Sequence, residues 1–258
     1  MGPRIETRIA EHAQGQVAEL CVCNAAKLNV LDSALMRGLI AAFAALAGEA
    51  ALRCVVLRGE GARAMIGGAD IREMATLDGP RARAFITLLH EVCAAIRTCP
   101  VPVIARLQGY TLGAGLEIAA ACDLRVAAAG ARLGMPEVRI GIPSVIEAAL
   151  LPMLIGWGRT RRLLLTGETI DAPTALAWGL VEEVAEEAAL DGAVARLVGD
   201  ILACGPRAIT QQKRLIAAWE ESPPAAAIAR GIDCFAQAWG SDEPTRLMAA
   251  FLAAKKTG

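Results

Sequence analysis

The strongest constraint on this chain is an order that repeats through its first two thirds: a short apolar strand, a glycine-containing turn, then a helix. Ile5–Ile9 and Val17–Val22 read as strands, with Gly15 between them as a hairpin signal. Asn24–Asp32 reads as a loop, and Ser33 as the N-cap of a helix ending near Ala47. Arg53–Arg58 is a β-branched strand that runs into the glycine-rich segment Gly59–Asp70. Pro80 suits the first turn of a helix reaching about Thr98, because its missing N–H has no intrahelical partner there. Val101–Leu107, Gly113–Ala121 and Asp123–Ala128 repeat the pattern as strand, short helix and strand. Such units predict an α/β architecture with parallel strands.

After Ser144 the pattern changes. Helical segments read at about 144–153, 157–166 and 172–178, with a strand at 180–184. Beyond residue 187 the chain reads as nearly all helix, broken at Gly205-Pro206, Pro223-Pro224 and Pro244. The expected division is an α/β body over residues 1–195 and a helical region over 196–258.

The chain of 258 residues carries 26 basic and 27 acidic residues, a net charge of −1 that gives no field for nucleic acid or a membrane surface. Nine aromatic residues are too few for base-stacking platforms. No apolar run is long enough to span a bilayer. The eight cysteines lack the close-pair spacing of a zinc site, and Met1-Gly-Pro-Arg-Ile-Glu has no apolar secretory core. Free buried thiols in a reducing cytoplasm are expected, with Cys21 and Cys23 on one face of their strand.

Two glutamates carry the chemical reading. Glu117 ends Gln108-Gly-Tyr-Thr-Leu-Gly-Ala-Gly-Leu-Glu117, and Glu137 lies in Leu133-Gly-Met-Pro-Glu137-Val-Arg-Ile-Gly-Ile-Pro143. A third glycine turn stands upstream, Ala64-Met-Ile-Gly-Gly-Ala-Asp70-Ile. Where such a turn opens a helix, its first N–H groups have no partner and can hold an oxyanion. A pocket carboxylate can polarise a water while a second carboxyl delivers a proton. The competing structural reading is a tight turn with no catalytic role, and for Glu117 a salt bridge to Arg106, Arg125 or Arg139. His12 and His90, the only histidines, stand in no triad-like or metal-binding setting, and both read as structural or exposed. There is no P-loop, and Gly113-Ala-Gly is too short for a dinucleotide fingerprint.

Together the three blocks resemble the enoyl-CoA hydratase/isomerase, or crotonase, family. Ala64-Met-Ile-Gly-Gly-Ala-Asp-Ile is similar to its Ala-Phe-x-x-Gly-Ala-Asp-Ile. Gly109-Tyr-Thr-Leu-Gly-Ala-Gly-Leu-Glu is similar to Gly-x-x-x-Gly-Gly-Gly-x-Glu, followed by the family's Cys122-Asp123, and Gly134–Pro143 matches a third block. The resemblance runs from Asn24–Leu31 to the Phe251-Leu-Ala-Ala-Lys-Lys end. It implies a spiral of stacked ββα turns, a helical trimerisation tail, and a homotrimer or a dimer of trimers. It implies an acyl-CoA substrate, with coenzyme A part of that substrate and no metal or nucleotide cofactor. It places the oxyanion donors at the N–H groups of Ile66 and Ala114, water activation at Glu117 and α-proton donation at Glu137. Lys27, Leu28, Arg63, Ala64, Ala69, Asp70 and Ile71 match segments that cradle CoA, and Phe235 and Lys255 match tail contacts to it.

Glutamate at both positions favours hydration of a 2,3-enoyl thioester in acyl-CoA breakdown. Double-bond isomerisation, decarboxylation or thioester hydrolysis is the alternative within the family; a CoA-binding homologue without turnover is the alternative outside catalysis. One departure stands out. After Pro143 the family runs through glycines, whereas this chain has Ser144-Val-Ile-Glu147-Ala. Larger residues there would reshape the acyl pocket, and Glu147 would raise a neighbouring carboxyl's pKa if close. Its ordinary reading is an outward-facing helix residue or a salt bridge.

Overall fold

In the computed structural model, which describes residues 2–255, the chain opens with a hairpin, β1 (Arg4–His12) and β2 (Gly15–Cys23), then α1 (Ser33–Ala47). Three similar turns follow. The first is β3 (Leu52–Gly59), β4 (Ala64–Ile66), α2 (Ile71–Met74) and α3 (Gly79–Thr98). The second is β5 (Val103–Leu107), β6 (Tyr110–Leu112) and α4 (Ala114–Ala121). The third is β7 (Leu124–Ala128), β8 (Arg132–Gly134) and α5 (Leu151–Thr166). β9 (Thr169–Asp171), α6 (Ala172–Trp178) and β10 (Glu183–Ala185) close the body. Four helices end the chain: α7 (Leu190–Ala203), α8 (Pro206–Glu220), α9 (Pro224–Ala238) and α10 (Glu243–Ala254).

Each turn gives one strand to each of two sheets. The larger has the order β1-β2-β3-β5-β7-β10 and the smaller β4-β6-β8-β9. Successive turns stack in parallel, β3 on β5 on β7 and β4 on β6 on β8. This is the expected spiral of ββα units.

Strand periodicity explains why the larger sheet is covered on both faces. Val55 and Leu57 of β3, with Val103, Ala105 and Leu107 of β5, point into the main core beside α1, α3 and α4. Their neighbours Cys54, Val56 and Ile104 point the other way, against Leu190, Val194, Val198 and Ile201 of α7. α7 therefore forms a layer of the body, and it runs unbroken through residues 195 and 196. α8 is tied down by Lys213, a buried lysine whose Nζ donates to Ile96 O, Val101 O and Asp123 Oδ2 at 3.2, 2.9 and 2.7 Å. α9 has no buried residue; Ile228, Ile232 and Phe235 are exposed along it at helical spacing, and Trp239, just past its end, continues the stripe.

Some local expectations are corrected. Asp32, not Ser33, caps α1, its carboxylate accepting from Leu35 N at 2.8 Å. The ββα spiral implies a second strand in each turn, but the strands of the smaller sheet were not located from the residues, because at three residues each they are too short to show alternation and read as turns. The strand expected at 101–107 begins at Val103, and that at 180–184 is confined to Glu183–Ala185. The helix expected at 144–153 opens as a 3-10 turn, Ile146–Leu150, before α5, which breaks at Gly156 with φ 77°. Met1 and Lys256, named in the terminal motifs, lie outside the described residues.

Candidate active site

The site lies where neighbouring turns of the spiral meet. Asn29, fully buried, donates from Nδ2 to the carbonyls of Glu60 and Ala64 at 2.9 Å each. Gln108 Nε2 reaches the same Ala64 carbonyl and that of Gly59. These side-chain bonds add to the pairing of Ala64 with Tyr110 of β6 and hold the start of β4 in place. Gly67 N–H donates to Leu28 O at 2.8 Å, and Asp70 N–H to Leu31 O at 2.8 Å, so the loop after β1–β2 underlies the first glycine turn. The chain passes Leu28 and Asn29 in left-handed conformation, φ 57° and 54°.

Beyond β6, Gly113 takes φ 52°, a conformation that suits glycine, and turns the chain into α4. Ala114 is the first residue of that helix, so its N–H has no intrahelical acceptor. The next residue, Gly115, lies so close to β4 that an added Cβ would sit 2.1 Å from Ile66 O. Only glycine lets the Ile66 and Ala114 backbones approach in this way.

Glu117 and Glu137 converge on one side of this junction. Both line an apolar cavity of 730 Å³ whose other walls include Met74, Leu77, Phe85, Ile86, Leu112 and Val145. Glu117 is 4 % exposed, and Ala148 N–H donates to its Oε1 at 3.3 Å. Burial, then the nearby charge of Glu137, pushes its pKa up from 4.5 to about 8; the Ala148 hydrogen bond opposes this, and Glu147 adds to it. The salt bridge considered for Glu117 is not made. Arg125 pairs with Glu182, Arg106 with Asp191, and Arg139 donates to Thr166 O. Glu137 is half-buried and its Oε2 accepts from Ser144 Oγ at 2.8 Å. Its Oε1 fills the space above Gly113, where a Cβ would lie 2.2 Å away.

The remaining expected residues divide by position. Ala114, Ala69 and Ile71 line the cavity with the two glutamates. Ile66 is fully buried at the end of β4, just behind the wall that Gly67 and Gly68 complete. Lys27 and Leu28 flank the first glycine turn, Lys27 Nζ standing 4.0 Å from Asp70 Oδ2, while Asp70 caps α2 through Arg72 N. Ala64 is buried within β4; Arg63, before it, is exposed and gives its carbonyl to Tyr110 N–H. Phe235 and Lys255 are exposed on the tail and do not line the cavity of their own chain.

Of the two ordinary readings of Glu147, the outward-facing one is corrected and pairing with a basic side chain is what the structure has. Glu147 faces inward with its side chain 8 % exposed, and its Oε1 lies 2.8 Å from His90 Nδ1 on α3. Sequence reasoning set His90 aside, and missed Ser144 and Ala148 as partners of the two acids. The one available signal was the break in the glycine pattern after Pro143.

A family model described as enoyl-CoA hydratase/isomerase matches residues 12–257. A short-chain-enoyl-CoA hydratase of Clostridium acetobutylicum is 30% identical over 94% of this chain and 94% of its own length. A crotonyl-CoA hydratase of Syntrophomonas wolfei is 31% identical over 93% of each. Among solved structures, an enoyl-CoA hydratase from Bacillus anthracis superposes with a TM-score of 0.91 at 28% identity, covering 97% of this chain and 96% of that one. DspI of Pseudomonas aeruginosa gives 0.90 at 30% identity, covering 96% and 94%. With two glutamates set beside stacked glycine turns in the same spiral, this chain belongs to the enoyl-CoA hydratase/isomerase family.

Proposed function

We propose that this protein is an enoyl-CoA hydratase, adding water across the 2,3-double bond of an enoyl-CoA thioester. The observation that carries the reading is the pair Glu117 and Glu137 on one apolar cavity whose wall also holds the free N-terminal end of α4. The thioester oxygen would accept from Ile66 and Ala114 N–H, which stabilise the enolate formed when water attacks C3. One donor of this kind contributes about 3–4 kcal/mol. Glu117 would take the water's proton and Glu137 would deliver one to Cα. The net change is addition of H and OH, with the carboxyl pair returned to its starting state by proton exchange.

The raised pKa of Glu117 supports a base working near neutral pH. Only the ionised form of Glu117 can accept a proton from water. Lys27, Leu28, Arg63, Ala64, Ala69, Asp70 and Ile71 would cradle the CoA portion, which belongs to the substrate, and no metal or nucleotide cofactor takes part in the proposed steps. Phe235 and Lys255 would serve a CoA held by another subunit, since they stand away from their own cavity. The helical region, 196–258, is proposed as the oligomerisation region of a homotrimer or homohexamer, supported by the apolar stripe of α9 and by exposed Met248, Phe251 and Leu252 on α10. No helix among the described residues is long and apolar enough to cross a membrane. Eight free cysteines, six of them buried, support a cytoplasmic location and a role in acyl-CoA breakdown there.

The test is loss of enoyl-thioester absorbance with crotonyl-CoA for the native protein, Glu117→Gln and Glu137→Gln. Each substitution is expected to lower kcat by a factor of about 10² to 10⁴. An inactive native protein, or full activity in either variant, would overturn the assignment.

A further inference from the structure

A single five-residue segment touches both acids. Its first residue, Ser144, donates from Oγ to Glu137 Oε2 at 2.8 Å; its last, Ala148, donates from its N–H to Glu117 Oε1 at 3.3 Å. Between them Ile146 is held at φ 38°, a left-handed conformation that a β-branched residue adopts only when its surroundings impose it. The next residue in sequence faces inward. Glu147 is buried, its Oε1 lies 2.8 Å from His90 Nδ1, and its Oε2 is buried with no hydrogen-bond partner. Burying a carboxyl group with one oxygen unsatisfied costs free energy, which the contact with His90, together with the buried thiol of Cys93 beside it, offsets. Glu147 does not line the cavity and does not reach the place where substrate would lie.

We propose that Glu147, held by His90, is a positioning residue: it pins the Ser144–Ala148 segment so that its two ends set the carboxylates of Glu137 and Glu117. This inference rests on the hydratase reading for its kinetic consequences but not for its structural one. A segment released by about 1 Å would misplace both acids together, and misplacement on that scale costs on the order of 100-fold in rate. Binding of the CoA portion, which uses other residues, is left intact.

The experiment compares Glu147→Ala, Glu147→Gln, His90→Ala, His90→Asn and the double alanine variant in crotonyl-CoA hydration, alongside amide hydrogen exchange over residues 144–148. Glu147→Ala and His90→Ala are each expected to lower kcat roughly 10- to 100-fold with KM within about threefold. The double variant should be no worse than the poorer single one, since both break one contact. Glu147→Gln and His90→Asn preserve the hydrogen bond and should restore most of kcat. His90 is largely exposed, so His90→Ala decides the matter if Glu147→Ala fails to fold. Unchanged kcat in His90→Ala, additive losses, a rise confined to KM, or a Glu147→Gln variant as poor as Glu147→Ala would each overturn the proposal. If the native protein does not hydrate crotonyl-CoA, the hydratase reading falls and hydrogen exchange still decides this one: faster exchange at 145–148 in His90→Ala supports pinning, and unchanged exchange refutes it.

Discussion

Gly115→Ala should disable catalysis without removing any functional side chain. The added Cβ would stand 2.1 Å from Ile66 O and 3.0 Å from both Ile66 C and Ile66 Cβ. Real Cβ contacts do not fall below 3.0 Å, so β4 and the first turn of α4 must part by about 0.9 Å (3.0 − 2.1) along that line. A side chain could rotate away; a carbonyl inside a strand cannot, because β4 is held by its ladder to β6 and by Asn29 and Gln108. The parting therefore falls on the gap between Ile66 N–H and Ala114 N–H. A hydrogen bond stretched from about 2.9 Å to about 3.8 Å is effectively lost. Losing one oxyanion donor corresponds to about 2.7–4 kcal/mol, or 10²–10³ in kcat. Stopped-flow or steady-state hydration of crotonyl-CoA, with Tm by calorimetry, gives the answer. A variant within threefold of native kcat and with native Tm would show that the two backbones are not in the proposed register, and would refute the donor assignment itself.

Other expectations follow from the electrostatics and the packing. Glu117 loses its proton near 4.5 when unfolded and near 8 when folded, so between those values only the folded state holds that proton. Its contribution is therefore complete below about pH 4.5 and lost as pH rises through about 8. Glu117→Gln should raise Tm, and by more at pH 8.5 than at pH 5; a pH-independent difference would contradict the burial argument. For hydration, kcat/KM of the native protein should climb between pH 6 and 8.5 as Glu117 ionises, and a flat profile would count against Glu117 as the base. Lys213→Met leaves Asp123 Oδ2 and two carbonyls without their cation and should cost roughly 2–4 kcal/mol in urea unfolding; a change below about 0.5 kcal/mol would mean that the α8 staple is dispensable. Ile232→Asp and Phe235→Asp should reduce the mass found by light scattering to that of one chain, whereas a native protein already monomeric would remove the proposed oligomer.

What could be read from the residues alone followed from local patterns. Arg53–Arg58 shows its strand through consecutive β-branched and aliphatic residues, and α3 shows its start through Pro80, a local signal of helix entry. β4, β6, β8 and β9 escaped because three residues cannot display a period of two. Their pairing comes from stacking between turns dozens of residues apart. At the candidate site, Glu117 and Glu137 stood out because each lies beside a glycine turn within a block that resembles the family, and the structure brings both to one cavity. The orientation of Glu147 was not legible, since inward and outward positions on a single 3-10 turn differ by a rotation that only tertiary packing decides. Ser144 and Ala148 were missed for a related reason: a hydroxyl and a backbone N–H acquire a role from where they are placed, not from their type.

The stacking of β4 on β6 has a consequence for the shape of the transition state. Neighbouring strands in any sheet lie about 4.8 Å apart. An oxygen held about 2.9 Å from each of two nitrogens at that separation sees them at an angle of roughly 110°, close to the directions of its two developing lone pairs. Ile66 stands on that ladder opposite Thr111, and Ala114 follows through the Gly113 turn, so in the proposed site the ladder spacing would serve as the ruler for an enolate oxygen and the turn would carry that measure to the second donor.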